Sequence, residues 1–165
     1  MSEESLIELI PISKKSYRIL FDKKEFTIKT PFIKLPFGYE LYNNKYLLNM
    51  ELYTVDKNNK MYNFHCIIKH METLVEEKAK TMKELKNKNF VSSLKTRKFP
   101  ILRTHLKMNK YVTANIVDMK KNLLSIKDLK KNTYGYFDII LKELWIHKDD
   151  YGIIWIVREC MITKN

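Results

Sequence analysis

Six cations and two aromatic rings fall within residues 95 to 111: Lys95, Arg97, Lys98, Phe99, Arg103, Lys107, Lys110 and Tyr111. A guanidinium can pair with a phosphate through parallel N–H donors and also lie flat on a base, while an aromatic ring offers a face for stacking. Lysines and arginines on a segment that also carries rings suit a ligand with a charged backbone and exposed planar groups. Arg18 and Tyr136 join this set as candidates, and Tyr39, Tyr42, Tyr46, Tyr53 and Tyr134 are further rings that could stack or seal the edge of a core.

Other chemistry finds little support. His65 and His70 lie five apart on a helical pattern, off the i, i+4 spacing of a metal pair, and His105 and His147 are scattered. Asp149-Asp150 reads as a turn pair. Phosphate-binding glycine loops, nucleophile elbows and HExxH are absent from the sequence. No enzyme, cofactor or metal site is expected, and Cys66 and Cys160, without ligand-like spacing, read as small core residues in a reduced compartment.

The elements that must position the cluster follow from pattern. The chain of 165 residues is the length of one domain, and 45% hydrophobic residues exceed what a disordered chain carries. No apolar run approaches the roughly 20 residues of a membrane span, and the start MSEES lacks a basic leader, so a soluble protein not secreted by that route is expected. The net charge is +12, and residues 61 to 110 hold 12 Lys and Arg against 4 Glu, so most of the excess is concentrated there. Such a field attracts polyanions, nucleic acid first. A Lys-, Asn- and Ile-rich composition also follows from an AT-rich genome, but clustering does not.

Alternating apolar residues predict strands over 5 to 12, 16 to 21 and 25 to 30, joined by tight turns. Pro31 and Pro36 bracket an extended stretch, and a strand over Lys45 to Val55 has Tyr46, Leu48, Met50 and Leu52 on one face, ending in a turn at Asp56 to Lys60. From Phe64 the period changes to three and four, predicting an amphipathic helix of five or six turns capped by Asn63 and ended at Asn87 to Asn89. Its Lys78, Lys80, Lys83, Lys86 and Lys88 read as a solvated face. A basic linker from Phe90 leads through Phe99-Pro100 to strands over 101 to 107, 111 to 117, 134 to 146 and 152 to 162, the last two joined by a turn at 147 to 152. Trp145 and Trp155 are expected to pack together or onto the helix. The fold class is mainly β with α, a curled sheet or barrel with one long packed helix.

The order Thr30-Pro31, Phe37-Gly38, Met71-Glu72, the short element at Leu124 to Lys131, and Leu144-Trp145-Ile146 with Gly152 and Trp155 resembles the single-stranded-DNA-binding family of nucleocytoplasmic large DNA viruses. The likeness covers about residues 25 to 162; the segment before Phe99 is shorter than the family pattern, and Arg158-Glu159 replaces a polar residue after the second Trp. It implies an OB-like barrel that binds single-stranded DNA, or RNA, without sequence preference in viral replication, recombination or repair. Beside the nucleic acid, viral replication proteins are expected partners and a membrane is not; a homo-oligomer is one option that the sequence leaves open, and the expected place is the infected cell or the virion. The alternatives are a basic structural protein that neutralises nucleic acid by charge alone, and a degenerate nuclease or polymerase accessory fold.

Overall fold

The computed structural model describes residues 6–53 and 60–163. Its strands are β1 (Ile7–Ser13), β2 (Ser16–Phe21), β3 (Phe26–Lys29), β4 (Ile33–Leu35), β5 (Tyr39–Tyr42) and β6 (Lys45–Glu51), followed by helix α1 (Lys60–Lys80). Then come β7 (Asn89–Val91), β8 (Leu94–Lys95), β9 (Ile101–Leu106), β10 (Met108–Asn109), β11 (Tyr111–Val112) and β12 (Asn115–Asp118). A 3-10 turn (Ile126–Asp128) leads into the long β13 (Thr133–His147) and β14 (Asp150–Ile162).

Five strands close a ring in the order β13, β4, β6, β9, β14 and back to β13. The β9–β14 seam is parallel, pairing His105 with Ile156 and Leu106 with Val157, and the β4–β6 seam rests on one register pair, Lys34 with Glu51. β13 is long enough to serve several partners on one edge: β4 along 133–135, β3 along 138–141 and β2 along 143–145. Register shifts after Asp138 and Leu141 bend it between these partners. The β-branched and aromatic content of these segments favours the pleated conformation, and side chains alternate between core and surface. Leu48, Met50 and Leu52 point inward with Ile33, Leu35, Leu102, Phe137, Leu141, Trp155 and Val157, all essentially without exposure.

α1 adds Phe64, Ile68, Met71, Leu74, Val75 and Ala79 to this core. It also buries Glu72, whose carboxylate is fully engaged. Oε1 accepts from Ser92 Oγ at 2.6 Å, and Oε2 accepts from the Ser93 amide and the Ser93 hydroxyl at 2.7 Å each. Ser93 Oγ in turn accepts from Trp155 Nε1 at 3.2 Å, and the Ser93 carbonyl accepts from the Arg103 amide at 2.9 Å. One buried acid thus ties α1 to β9 and β14 through the segment that precedes β8.

Several expectations are corrected. The helix runs from Lys60 to Lys80, so Asn63 lies inside it and not at its cap. Beyond it Thr81, Met82 and Leu85 make bonds to carbonyls three residues back, and Thr81 Oγ turns back to the Lys78 carbonyl. Those tight turns still carry Leu85 into the core, which is why an apolar period outlasts the helix. Leu47 and Asn49, which alternate with the inward Leu48 and Met50 on β6, are also nearly buried, standing opposite His105 and Arg103 in the register. The end of that strand beyond residue 53 and the turn at 56–59 lie outside the described residues. Residues 90–100 are not a plain linker, since β7 pairs with β14 and β8 with β9. The segment over 111 to 117 is two short strands, with β12 parallel to β14.

The closing hairpin turns in two residues, His147 facing Asp150, and Lys148 takes the left-handed φ of 54° that such a turn requires. Trp145 therefore faces Gly152 and Trp155 faces Leu141, so the two indoles do not pack together. Cys160 is buried as expected, but Cys66 falls on the outer side of α1 and is exposed.

Glu72→Leu would leave the Ser93 amide and two hydroxyls without their acceptor in a buried place. It is expected to lower the unfolding free energy by about 2–4 kcal/mol, whereas Ser92→Ala should cost about 1 kcal/mol, both read from urea unfolding midpoints.

Candidate nucleic-acid interface

The alternation that sends Leu102, Thr104 and Leu106 inward sends Arg103 and His105 outward. On the neighbouring strand Ile154 and Ile156 stand outward beside the inward Trp155 and Val157. Trp145, on β13, lies against Gly152, where an added Cβ would fall 2.6 Å from the indole Cζ2. Only a residue without a side chain lets the ring lie there. The turn after β5, with Asn43 and Asn44 both at positive φ, brings Tyr42 to the same side; this ring is 63% exposed.

These groups line two adjoining grooves on the outer face of β6, β9 and β14. The first, about 530 Å³, holds Tyr42, Lys95, Arg103, Trp145 and His147; the second, about 590 Å³, holds Lys45, Lys107, Lys110, Lys142 and Glu143. His105 and Ile154 line both, and so join them. Lys142 is engaged, its Nζ 2.6 Å from Glu25 Oε2, and this hydrogen bond holds the Glu25 carboxyl below the usual range. Arg158 is engaged too, with Nε 2.9 Å from Asp138 Oδ2. Arg103, Lys95, Lys107 and Lys110 make no ion pair among the described residues, and Lys95 Nζ reaches only the Ser92 carbonyl at 3.4 Å. The grooves therefore combine cations free to meet phosphate with an indole and a phenol ring.

His105 registers that field. Burial first, then the charges of Lys45 and Arg103, push its imidazole down to about 4, and its Nδ1 is buried without a partner among the described residues. It is neutral at neutral pH, and phosphate in the groove would pull its affinity for protons back up.

The residues singled out from sequence divide between two places. Lys95, Arg103, Lys107 and Lys110 line the grooves. Tyr111 stands in the β10–β11 hairpin next to Lys110 and is 79% exposed, and Arg18 faces Glu143 across the β2–β13 pairing. Arg97, Lys98, Phe99 and Tyr136 lie elsewhere: Arg97 sits over the Phe37 ring at 5.2 Å, Lys98 over Phe99 at 5.6 Å, and Tyr136 against Phe32 at 5.3 Å between ring centres. Contiguity in sequence suggested one cluster, but the chain turns between Lys95 and Ile101. Tyr39 and Tyr46 pack edge to face on one another, and Tyr53 packs on Phe99. Trp145, His105, Lys45 and Lys142 were not singled out from sequence for the site, whereas Tyr42, named there as a ring that could stack or seal a core edge, lies in the groove. For Trp145 a signal existed, since a large ring facing a glycine across a hairpin marks a side chain lying on backbone.

The closed five-stranded barrel with its helix is an OB-like fold of the kind found in single-stranded-DNA-binding proteins. It is similar to the single-stranded DNA-binding protein from bacteriophage Enc34, at 13% identity and a TM-score of 0.59, covering 96% of this chain and 90% of that one. The same phage protein in complex with ssDNA gives 14% identity and a TM-score of 0.54, covering 96% of each chain. The single-stranded DNA-binding protein gp2.5 encoded by bacteriophage T7 gives 9% identity and a TM-score of 0.63, covering 85% of this chain and 87% of that one. No protein-family model matches the sequence, and no curated protein matches it either.

The His105 imidazole has a lower proton affinity folded than the unfolded value of about 6.5, so the unfolded state binds the proton first. Stability is full above pH 6.5 and falls as pH drops towards 4, by on the order of 3 kcal/mol from this group. Urea unfolding between pH 7 and pH 4 should show a loss smaller by that amount in His105→Gln than in the unaltered protein.

Proposed function

We propose that this chain binds single-stranded DNA without reading its sequence and does no chemistry on it, working as one nucleic-acid-binding domain. The observation that carries the reading is the paired groove on β6, β9 and β14, where Lys95 and Arg103 stand with Trp145 and Tyr42, and Lys107 and Lys110 line the adjoining half, none of the four cations in an ion pair among the described residues. OB-type barrels hold oligonucleotides on their second and third strands and on the loops that flank them; here these are β6, β9, the β5–β6 turn and the β13–β14 turn. Phosphates would lie along the cations and bases would stack on the indole and the phenol. That the structures it resembles are single-stranded-DNA-binding proteins supports the same reading.

The setting is viral DNA replication, recombination or repair inside the infected cell. The phage proteins and the sequence pattern of large DNA viruses both support a viral origin, and the pattern alone supports the large-virus assignment. Lys80, Lys83 and Lys86, exposed around the end of α1, favour a second reading in which the basic surface merely neutralises nucleic acid.

Anisotropy titrations of labelled oligo(dT) of about 30 nucleotides and of matched duplex, over a salt series, separate the two. Stacking predicts tighter binding of the single strand and a loss on Trp145→Ala of about 1–3 kcal/mol, or roughly 5- to 150-fold. Arg103→Ala should weaken binding and flatten the salt dependence by about one counterion. Because Trp155 is sealed in the core, quenching of tryptophan emission by DNA should vanish in Trp145→Phe. Equal affinity for both DNAs with unchanged quenching would leave charge alone.

A further inference from the structure

Phe32, Tyr134 and Tyr136 form an aromatic face that the groove does not use. The Phe32 and Tyr134 rings are 5.5 Å apart and 20° from parallel, and the three side chains are 43%, 42% and 39% exposed. Beside them a cleft of about 660 Å³ continues to Tyr53 and Phe99, whose ring centres are 4.4 Å apart. Rings of this size left open to water on neighbouring strands mark a contact surface. Among the described residues its rim is basic: Lys34 and Lys60 line the cleft, Lys98 covers Phe99, and Glu51 is the acid lining it.

The face is not isolated from the groove. Lys95 lines the groove and Phe99 lines the cleft, and the four-residue step between them spans at most about 14 Å. Arg97 and Lys98 lie on that step, exposed, and Arg97 covers the ring of Phe37. A chain of cations with rings at both ends therefore runs from one surface to the other.

We propose that Phe32, Tyr134, Tyr136 and Phe99 form a second base-stacking platform, so that one single strand lies in the β9 groove, passes along Lys95, Arg97 and Lys98, and ends on this face. The proposal rests on the reading of the groove as a single-strand site and extends it. The basic rim selects a polyanion over an acid-free apolar partner, and stacked rings with open faces suit unpaired bases rather than a closed duplex. The whole path fits the range of about 4–16 nucleotides that one OB barrel covers.

The test compares (dT)6 with (dT)16 by anisotropy on the unaltered protein, on Tyr134→Ser/Tyr136→Ser and on Phe32→Leu, with urea midpoints to verify folding. The unaltered protein is expected to bind (dT)16 at least tenfold more tightly than (dT)6. Both variants should keep the (dT)6 affinity and lose most of the gain on (dT)16, while Trp145→Ala should weaken both oligonucleotides. Unchanged (dT)16 binding in folded variants would overturn the platform. Equal losses on both lengths would overturn the two-part path. Sedimentation supplies a further arm: if the variants bind (dT)16 normally but lose a self-associated species, the face is a contact between copies and the proposal fails. Should the unaltered protein bind neither oligonucleotide, the groove reading itself fails, an outcome distinct from loss of the length effect alone.

Discussion

The Glu72 carboxylate has left water, and that move is tolerable only because three donors meet it at 2.6–2.7 Å. A buried acid deprived of such partners costs several kcal/mol, so the geometry around it is tightly determined. Its donors come from Ser92 and Ser93, which also receive the Trp155 indole N–H and hold the amide of Arg103. The helix, the barrel core and the strand bearing the central arginine thus meet at one residue, Ser93. Hydrophobic packing supplies most of the driving force for folding, but it is directionless. The hydrogen bonds to Glu72 fix where the segment leading into the basic strand begins.

From that point the pleat does the sorting. Along β9 each inward residue seals the barrel while its neighbours face the grooves, so core and site are interleaved at a spacing of one residue. The same holds on β14, where Trp155 is the centre of the core and Ile154 lies in the groove floor. Rigidity of the core is therefore inherited directly by the site. The loops add what strands cannot: Asn43 and Asn44 take left-handed conformations to turn Tyr42 over the groove, and Gly152 yields its side-chain volume to Trp145.

Much of the fold was legible in sequence because strands one face of which is buried advertise themselves at period two. β1, β2, β3 and the two long closing strands fall where alternation places them, to within a few residues. What was not legible depends on partners distant in sequence. β7 and β8 are two or three residues long and exist because β14 and β9 offer them edges. The helix stops at Lys80 while Met82 and Leu85 keep its rhythm, since turns with three-residue bonds preserve nearly the same spacing. The basic cluster was visible as composition, yet its division at the β8–β9 turn was not, and the role of Trp145 appears only once its register with Gly152 is known.

β13 has a kinetic meaning as well as a geometric one. β2, β3 and β4 all find their neighbour on this strand, across sequence gaps of about a hundred residues or more, as with Leu35 and Thr133 or Arg18 and Glu143. At ribosomal speeds of about 5–20 residues per second, those early strands wait seconds with open edges before their partner is synthesised. Closure is then a late, cooperative event of high contact order, placing folding in the slower, millisecond-to-second regime of β-rich domains. During that interval the exposed edges are open to pairing with other chains, and the lysines that crowd the surface also serve to keep nascent copies apart.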